Sequence, residues 1–143
     1  MEVVLDSSVA LAWAFPDEGS TRAERLLARA SRRDGFWVPA LWWYEIANAL
    51  TMAERRGRLP EADRLRLTEL FGMLPLHTDT FLDSDIAWRL HVLAREYALS
   101  AYDAAYLELA QRRGLALATL DRRLSRAARL AGVRVMVGWR QAR

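Results

Sequence analysis

The sequence predicts an α/β protein whose parallel sheet is covered by helices on both faces. Short, almost wholly apolar segments such as Val3-Val4-Leu5 read as buried strands. They alternate with longer segments whose apolar residues recur at helical spacing. Proline and glycine stand where the helices should stop or start. The 143 residues contain no internal repeat, low-complexity tract or linker, so residues 1–143 read as one domain.

Taken in order, Glu2 to Leu5 is the first strand, and Ser8 to Phe15 is a helix stopped by Pro16. Ser20 to Arg32 carries Ala23, Leu26, Leu27 and Ala30 on one helical stripe. Asp34-Gly35 makes a turn into a second strand, Phe36 to Val38. Pro39 leads into a helix from Leu41 to Arg56, closed by Gly57. Pro60 opens a helix to Met73, with Leu65, Leu67, Leu70 and Phe71 as its apolar positions. Leu76 to Thr78 is a weak strand after Pro75. Thr80 to Tyr97 is helical, with Leu82, Ile86, Leu90 and Leu93 on one side. Ser100 to Arg113 is a helix ending at Gly114, and Leu115 to Thr119 a strand. Arg122 to Ala131 is the last helix, and Val133 to Val137 the last strand.

Composition narrows the chemistry. Apolar residues make up 52%, enough for a core, and no apolar run approaches the roughly 20 residues that cross a bilayer. Met1-Glu2-Val3 does not open like a signal peptide, so a soluble cytoplasmic protein is expected. With no cysteine there is no disulfide, thiol nucleophile or cysteine metal site. All 21 basic residues are arginine, which removes the P-loop lysine, the Schiff base and the lysine general base. The net charge of +3 and a pI of about 9.9 favour a polyanionic partner. The arginine fork suits phosphate, although a single surface arginine is ordinarily just a solvated charge.

Four acids carry the functional signal. Asp6, Asp103 and Asp121 stand where a strand or loop hands over to a helix, and Glu45 lies inside Leu41-Trp42-Trp43-Tyr44-Glu45-Ile46-Ala47. In a parallel sheet the strand ends share one edge, where ligands bind. Each acid also has a local explanation. Asp6 and Asp121 could cap helices, and Ser100 with Asp103 has capping-box spacing, worth about 1 kcal/mol. Glu45 resists that explanation. Its neighbours one turn away are Leu41, Trp42, Asn48 and Ala49, none of them basic. The neighbours of Asp103 are Leu99, Ser100, Tyr106 and Leu107. One divalent cation explains all four acids together, because gathered carboxylates repel unless a cation compensates them. A carboxylate-held Mg²⁺ or Mn²⁺ facing solvent points to phosphate chemistry.

Other constellations are weak. His77 and His91 are too few for a zinc site without cysteine. No G-x-S-x-G elbow and no nucleotide-binding glycine loop occurs. A phosphotransfer receiver or an aspartate phosphatase would need a lysine. Trp13, Trp37, Trp42 and Trp43 cluster early in the chain and read mainly as core. Adjacent Trp42 and Trp43 cannot both face inward, so one is expected at a groove or interface.

These motifs resemble those of the PIN-domain ribonucleases, and among them the VapC-type toxins. Val4-Leu5-Asp6-Ser7-Ser8-Val9 resembles the opening motif with the first metal-binding Asp. Glu45-Ile46-Ala47-Asn48-Ala49-Leu50 is similar to the E-x-x-N-A-L helix motif. Leu99 to Tyr106 resembles the third motif, and Ala118-Thr119-Leu120-Asp121-Arg122-Arg123-Leu124 the fourth, with Thr119 as accessory hydroxyl.

The resemblance implies an α/β/α sandwich and a homodimer. It also implies dependence on Mg²⁺ or Mn²⁺, an RNA substrate, and an antitoxin whose C-terminal segment occludes the site. Asp6 and Asp103 would hold the cation most directly, with Glu45 and Asp121 acting through water or at a second metal. Ser7, Ser8, Asn48, Ser100 and Thr119 would keep those ligands in place. The competing expectation is a non-catalytic binding module, in which the acids are caps and the arginines a partner surface.

Overall fold

The computed structural model describes residues 1–15, 21–29 and 35–136. Five strands and seven helices are found among them: β1 (Glu2–Leu5), α1 (Ser7–Ala14), α2 (Thr21–Arg29), β2 (Gly35–Pro39), α3 (Ala40–Arg55), α4 (Glu61–Met73), β3 (Leu76–Asp79), α5 (Ser84–Tyr97), α6 (Ala101–Arg113), β4 (Ala116–Ala118), α7 (Arg122–Leu130) and β5 (Val135–Met136). The predicted turn at Asp34 and the predicted ends of the second helix and last strand fall partly outside the described residues.

All strand pairs are parallel, in the order β3-β2-β1-β4-β5. β1 is the central strand, and Val3, Val4 and Leu5 are fully buried, as expected of a strand with helices on both faces. α6 lies across β1, β2 and β4, while α1 packs against α2 and α3, giving an α/β/α sandwich. Phe36, Trp42, Ile46, Tyr106, Leu107, Leu117 and Leu124 belong to the main core. A smaller cluster of Ala14, Phe15, Ala53 and Leu67 ties α4 to the rest.

Two helices depart from expectation. α5 begins at Ser84 rather than Thr80, because Asp83 takes the N-cap position and accepts from the Ile86 amide at 3.1 Å. That bond is worth about 1 kcal/mol and stops the helix from extending backward. Leu82 therefore lies outside α5 and is exposed. On α4 the buried stripe is Leu67, Leu70 and Phe71, while Leu65 faces solvent.

The adjacent tryptophans divide as anticipated. Trp42 is fully buried, edge-on to Phe71 with ring centres 5.8 Å apart. Trp43 is 43% exposed and donates from Nε1 to the Thr78 hydroxyl at 2.8 Å. Among the described residues no helix is long and apolar enough to cross a membrane.

Candidate active site

The strand order reverses direction at β1. From β1 the chain builds outward through β2 and β3, then returns to the other side of β1 with β4. In such sheets a crevice opens beyond the carboxyl ends of the two strands at that point. Leu5 pairs with Ala118, so Asp6 and Thr119 emerge side by side from β1 and β4. The Asp6 amide extends the ladder by donating to the Ala118 carbonyl at 2.9 Å.

Asp6 is 5% exposed and occupies the N-cap position of α1, yet its side chain caps nothing. Its Oδ2 instead accepts from the Ser8 hydroxyl at 2.6 Å and the Thr119 hydroxyl at 2.7 Å. Ser8 Oγ in turn accepts from the Leu120 amide at 3.0 Å. Thr119 Oγ1 accepts from the Asp121 amide, also at 3.0 Å, so one buried hydroxyl ties the carboxylate of Asp6 to the backbone of Asp121. Burial pushes Asp6 up to about pKa 6, against the pull of Ser8 and Thr119, and the charges of Glu45 and Asp103 push the same way.

Glu45 projects from α3 toward the same crevice. The Tyr106 hydroxyl of α6 donates to its Oε1, and the Ser7 hydroxyl bonds to both Glu45 and Tyr106. Burial raises the Glu45 carboxyl above its usual range, opposed by Tyr106 and reinforced by Asp103. Tyr106 is fully buried and pushed far above the ordinary phenol range, by burial first and then by Asp6 and Glu45, so it is a permanent hydrogen donor.

Asp103 stands in the first turn of α6. The helix is capped by Ser100, whose hydroxyl accepts from the Asp103 amide at 3.1 Å. The Asp103 carboxyl is raised by burial and then by Asp121, while Ser100 and Arg123 lower it. Asp121 does cap a helix, accepting from the Leu124 amide at 2.8 Å. Asn48 lies exposed on α3 one turn beyond Glu45. The structure thus links Asp6, Glu45, Asp103 and Asp121 through each other's charge, and Ser7, Ser8, Ser100 and Thr119 through hydrogen bonds.

The donor set is all hard oxygen, with four carboxyls against one nearby arginine, Arg123, which suits Mg²⁺ or Mn²⁺ in kind. The acids do not form a closed cage. Among the described residues no three Asp, Glu or His side chains are arranged to hold a metal together. Each carboxylate leans on its own donor instead: Asp6 on Ser8 and Thr119, Glu45 on Tyr106, Asp121 on the α7 amide.

The PIN domain profile matches residues 3–130. Ribonuclease VapC3 of Pyrobaculum aerophilum is 35% identical over 129 residues, 87% of this chain and 93% of that protein. The chain belongs to the PIN-domain VapC ribonucleases. Solved PIN-domain neighbours share its fold at lower identity. VapBC2 from Rickettsia felis, bound to a DNA fragment from its promoter, superposes with a TM-score of 0.68 at 10% identity, covering 98% of this chain and 100% of that one. A toxin–antitoxin complex from Klebsiella pneumoniae gives 0.54 at 20% identity, covering 83% and 86%.

Tyr106 is a partner of the acid cluster that the sequence of this PIN domain does not reveal. It stands three residues after Asp103, and nothing local in the sequence shows that its hydroxyl meets a glutamate 61 residues away. Also unforeseen is a second polar cluster. Arg112 forks onto Asp79 at 3.1 and 2.6 Å and donates from Nε to Glu108 at 2.7 Å. Only its Glu108–Arg112 spacing of four residues was a readable signal.

Proposed function

We propose that this PIN domain is a metal-dependent endoribonuclease and the toxin of a toxin–antitoxin pair. Its membership of the VapC ribonucleases supports RNA cleavage. The observation that carries the reading is Asp6, a buried acid at the switch point that caps nothing and is held by two hydroxyls against two further acids.

Asp6 and Asp103 would hold a Mg²⁺ or Mn²⁺ ion most directly, with Glu45 and Asp121 through water or at a second ion. The ion would supply charge neutralisation at the scissile phosphate and acidify a water. Thr119 and Ser8 fix the Asp6 carboxylate, and Ser7 with Tyr106 fixes Glu45. Glu45 or Asp121 would orient the attacking water, and Asn48 and Ser100 would steady their neighbouring acids. The caps-only module is the weaker reading, because Asp6 makes no cap and Glu45 stands half-buried inside α3, bonded to Tyr106 rather than to a helix end.

A homodimer and a cognate antitoxin complete the proposal. Tyr102, 68% exposed, lines an apolar groove with Leu41, Phe81 and Leu82, and Trp43 and Tyr44 on α3 are left 43% and 75% exposed. Such surface calls for a protein partner. The antitoxin's C-terminal segment would cover the acidic crevice. A cytoplasmic location fits a chain without cysteine. The test is cleavage of labelled RNA by the native chain and by Asp103→Asn. The native chain should cut in Mg²⁺ or Mn²⁺ and the variant should not. Equal cutting by both would remove Asp103 from the site.

A further inference from the structure

α7 carries Arg122, Arg123, Arg126 and Arg129, and no acid, in nine residues. Arg122, Arg126 and Arg129 follow one another at helical spacing, and Arg123 lies one turn before Arg126, so like charges sit together where they disfavour the helix. Among the described residues, Arg126 forms no ion pair and is exposed. Arg122, Arg123 and Arg126 line a cavity of about 550 Å³ against Tyr97 and Ala98, at the end of α5. This cavity adjoins the acids, since Arg122 and Arg123 directly follow Asp121 and the charge of Arg123 acts on Asp103.

We infer that this arginine-lined cavity is a phosphate track, holding the RNA backbone next to the scissile bond. The inference rests on the nuclease reading of the acid cluster. Three arginines lining one hollow suit phosphate, because each planar guanidinium can bond two phosphate oxygens. Tyr97 adds an aromatic wall of the kind on which single-stranded bases stack. The track reads backbone charge, so it contributes affinity and register without choosing sequence.

Binding of a labelled single-stranded RNA to the full-length Asp6→Asn chain, which leaves the RNA uncut, is measured against NaCl concentration. It is repeated with Arg122→Gln/Arg126→Gln added, and with Arg64→Gln on α4 as a remote control. Each phosphate contact on a single strand contributes about 0.7 to the slope of log K against log salt. The double variant should lower that slope by about 1.4, equally for RNAs of unrelated sequence, and the control should not change it. An unchanged slope with RNA still bound would overturn the track while leaving the nuclease reading in place. RNA binding kept while binding of an acidic peptide is lost would also overturn it, making α7 a protein-docking surface. Failure of the Asp6→Asn chain to bind RNA, together with no cleavage by the native chain, would sink the nuclease reading and the track with it.

Discussion

The acid at position 6 shows how one residue is tuned. Buried at the end of β1, it has a carboxyl raised from 3.8 to about 6. Between those values the folded chain holds a proton that the unfolded chain has released. Stability from this group is therefore present below pH 3.8 and lost as pH rises through about 6, by an amount on the order of 2–3 kcal/mol. In metal-free buffer the native chain should gain urea resistance relative to Asp6→Asn on going from about pH 7.5 to about pH 5. A pH-independent gap between the two would mean that Asp6 is not strained by burial.

Tyr106 holds Glu45 from across the fold. Tyr106→Phe removes the donor to Glu45, and losing an outer partner of this kind costs about 10–100-fold in metal affinity or activity. Mn²⁺ titration calorimetry alongside cleavage assays should show both falling, and native affinity would reduce Tyr106 to packing. The acids themselves were legible in the sequence because Glu45 and Asp103 have apolar neighbours one turn away and no basic one. Their hydroxyl partners were legible only where they are local, as Ser8 is to Asp6. Tyr106 reaches Glu45 across the fold, and side-chain spacing carries no record of that.

Helices and strands set where these residues stand. α6 carries Asp103 in its first turn, Tyr106 one turn later, and Glu108 with Arg112 farther along, away from the acids. The last pair locks α6 to the end of β3 through Asp79. Asp79 and Glu108 are both buried, so Arg112→Ala leaves two carboxylates without their main cation. The expected cost is about 3–5 kcal/mol by urea unfolding. Adding Asp79→Asn and Glu108→Gln should recover much of it, and an equal loss in single and triple variants would contradict the assignment. Element order and parallel pairing were legible because the strands are short and apolar and the helices are bounded by Pro and Gly. The start of α5 was not. Thr80 and Asp83 are both acceptable caps, and only the folded chain shows that Asp83 reaches the Ile86 amide.

At the scale of the molecule, the sheet order gives the acids their common place. β1 and β4 are far apart in sequence and adjacent in the sheet, so Asp6 and Thr119, separated by 113 positions, share a hydrogen bond. A cation bound there stabilises the folded chain and not the unfolded one. At 100 times its dissociation constant, Mn²⁺ should add about 2.7 kcal/mol to the native protein and little to Asp6→Asn/Asp103→Asn. An equal gain in both would place the ion elsewhere.

In the proposed mechanism these four acids work on RNA by water-mediated hydrolysis. The rival chemistry is attack by the RNA 2′-hydroxyl, which calls for a paired acid and base such as two histidines. His77 and His91 are exposed, one against Trp37 and the other against Trp88, and neither meets the acids. Mass analysis of the cleaved ends decides between the two. Hydrolysis by a metal-activated water leaves a 5′-phosphate and a 3′-hydroxyl, gives no cutting in EDTA, and recovers with Mn²⁺ or Mg²⁺. A 2′,3′-cyclic phosphate formed in EDTA would contradict it.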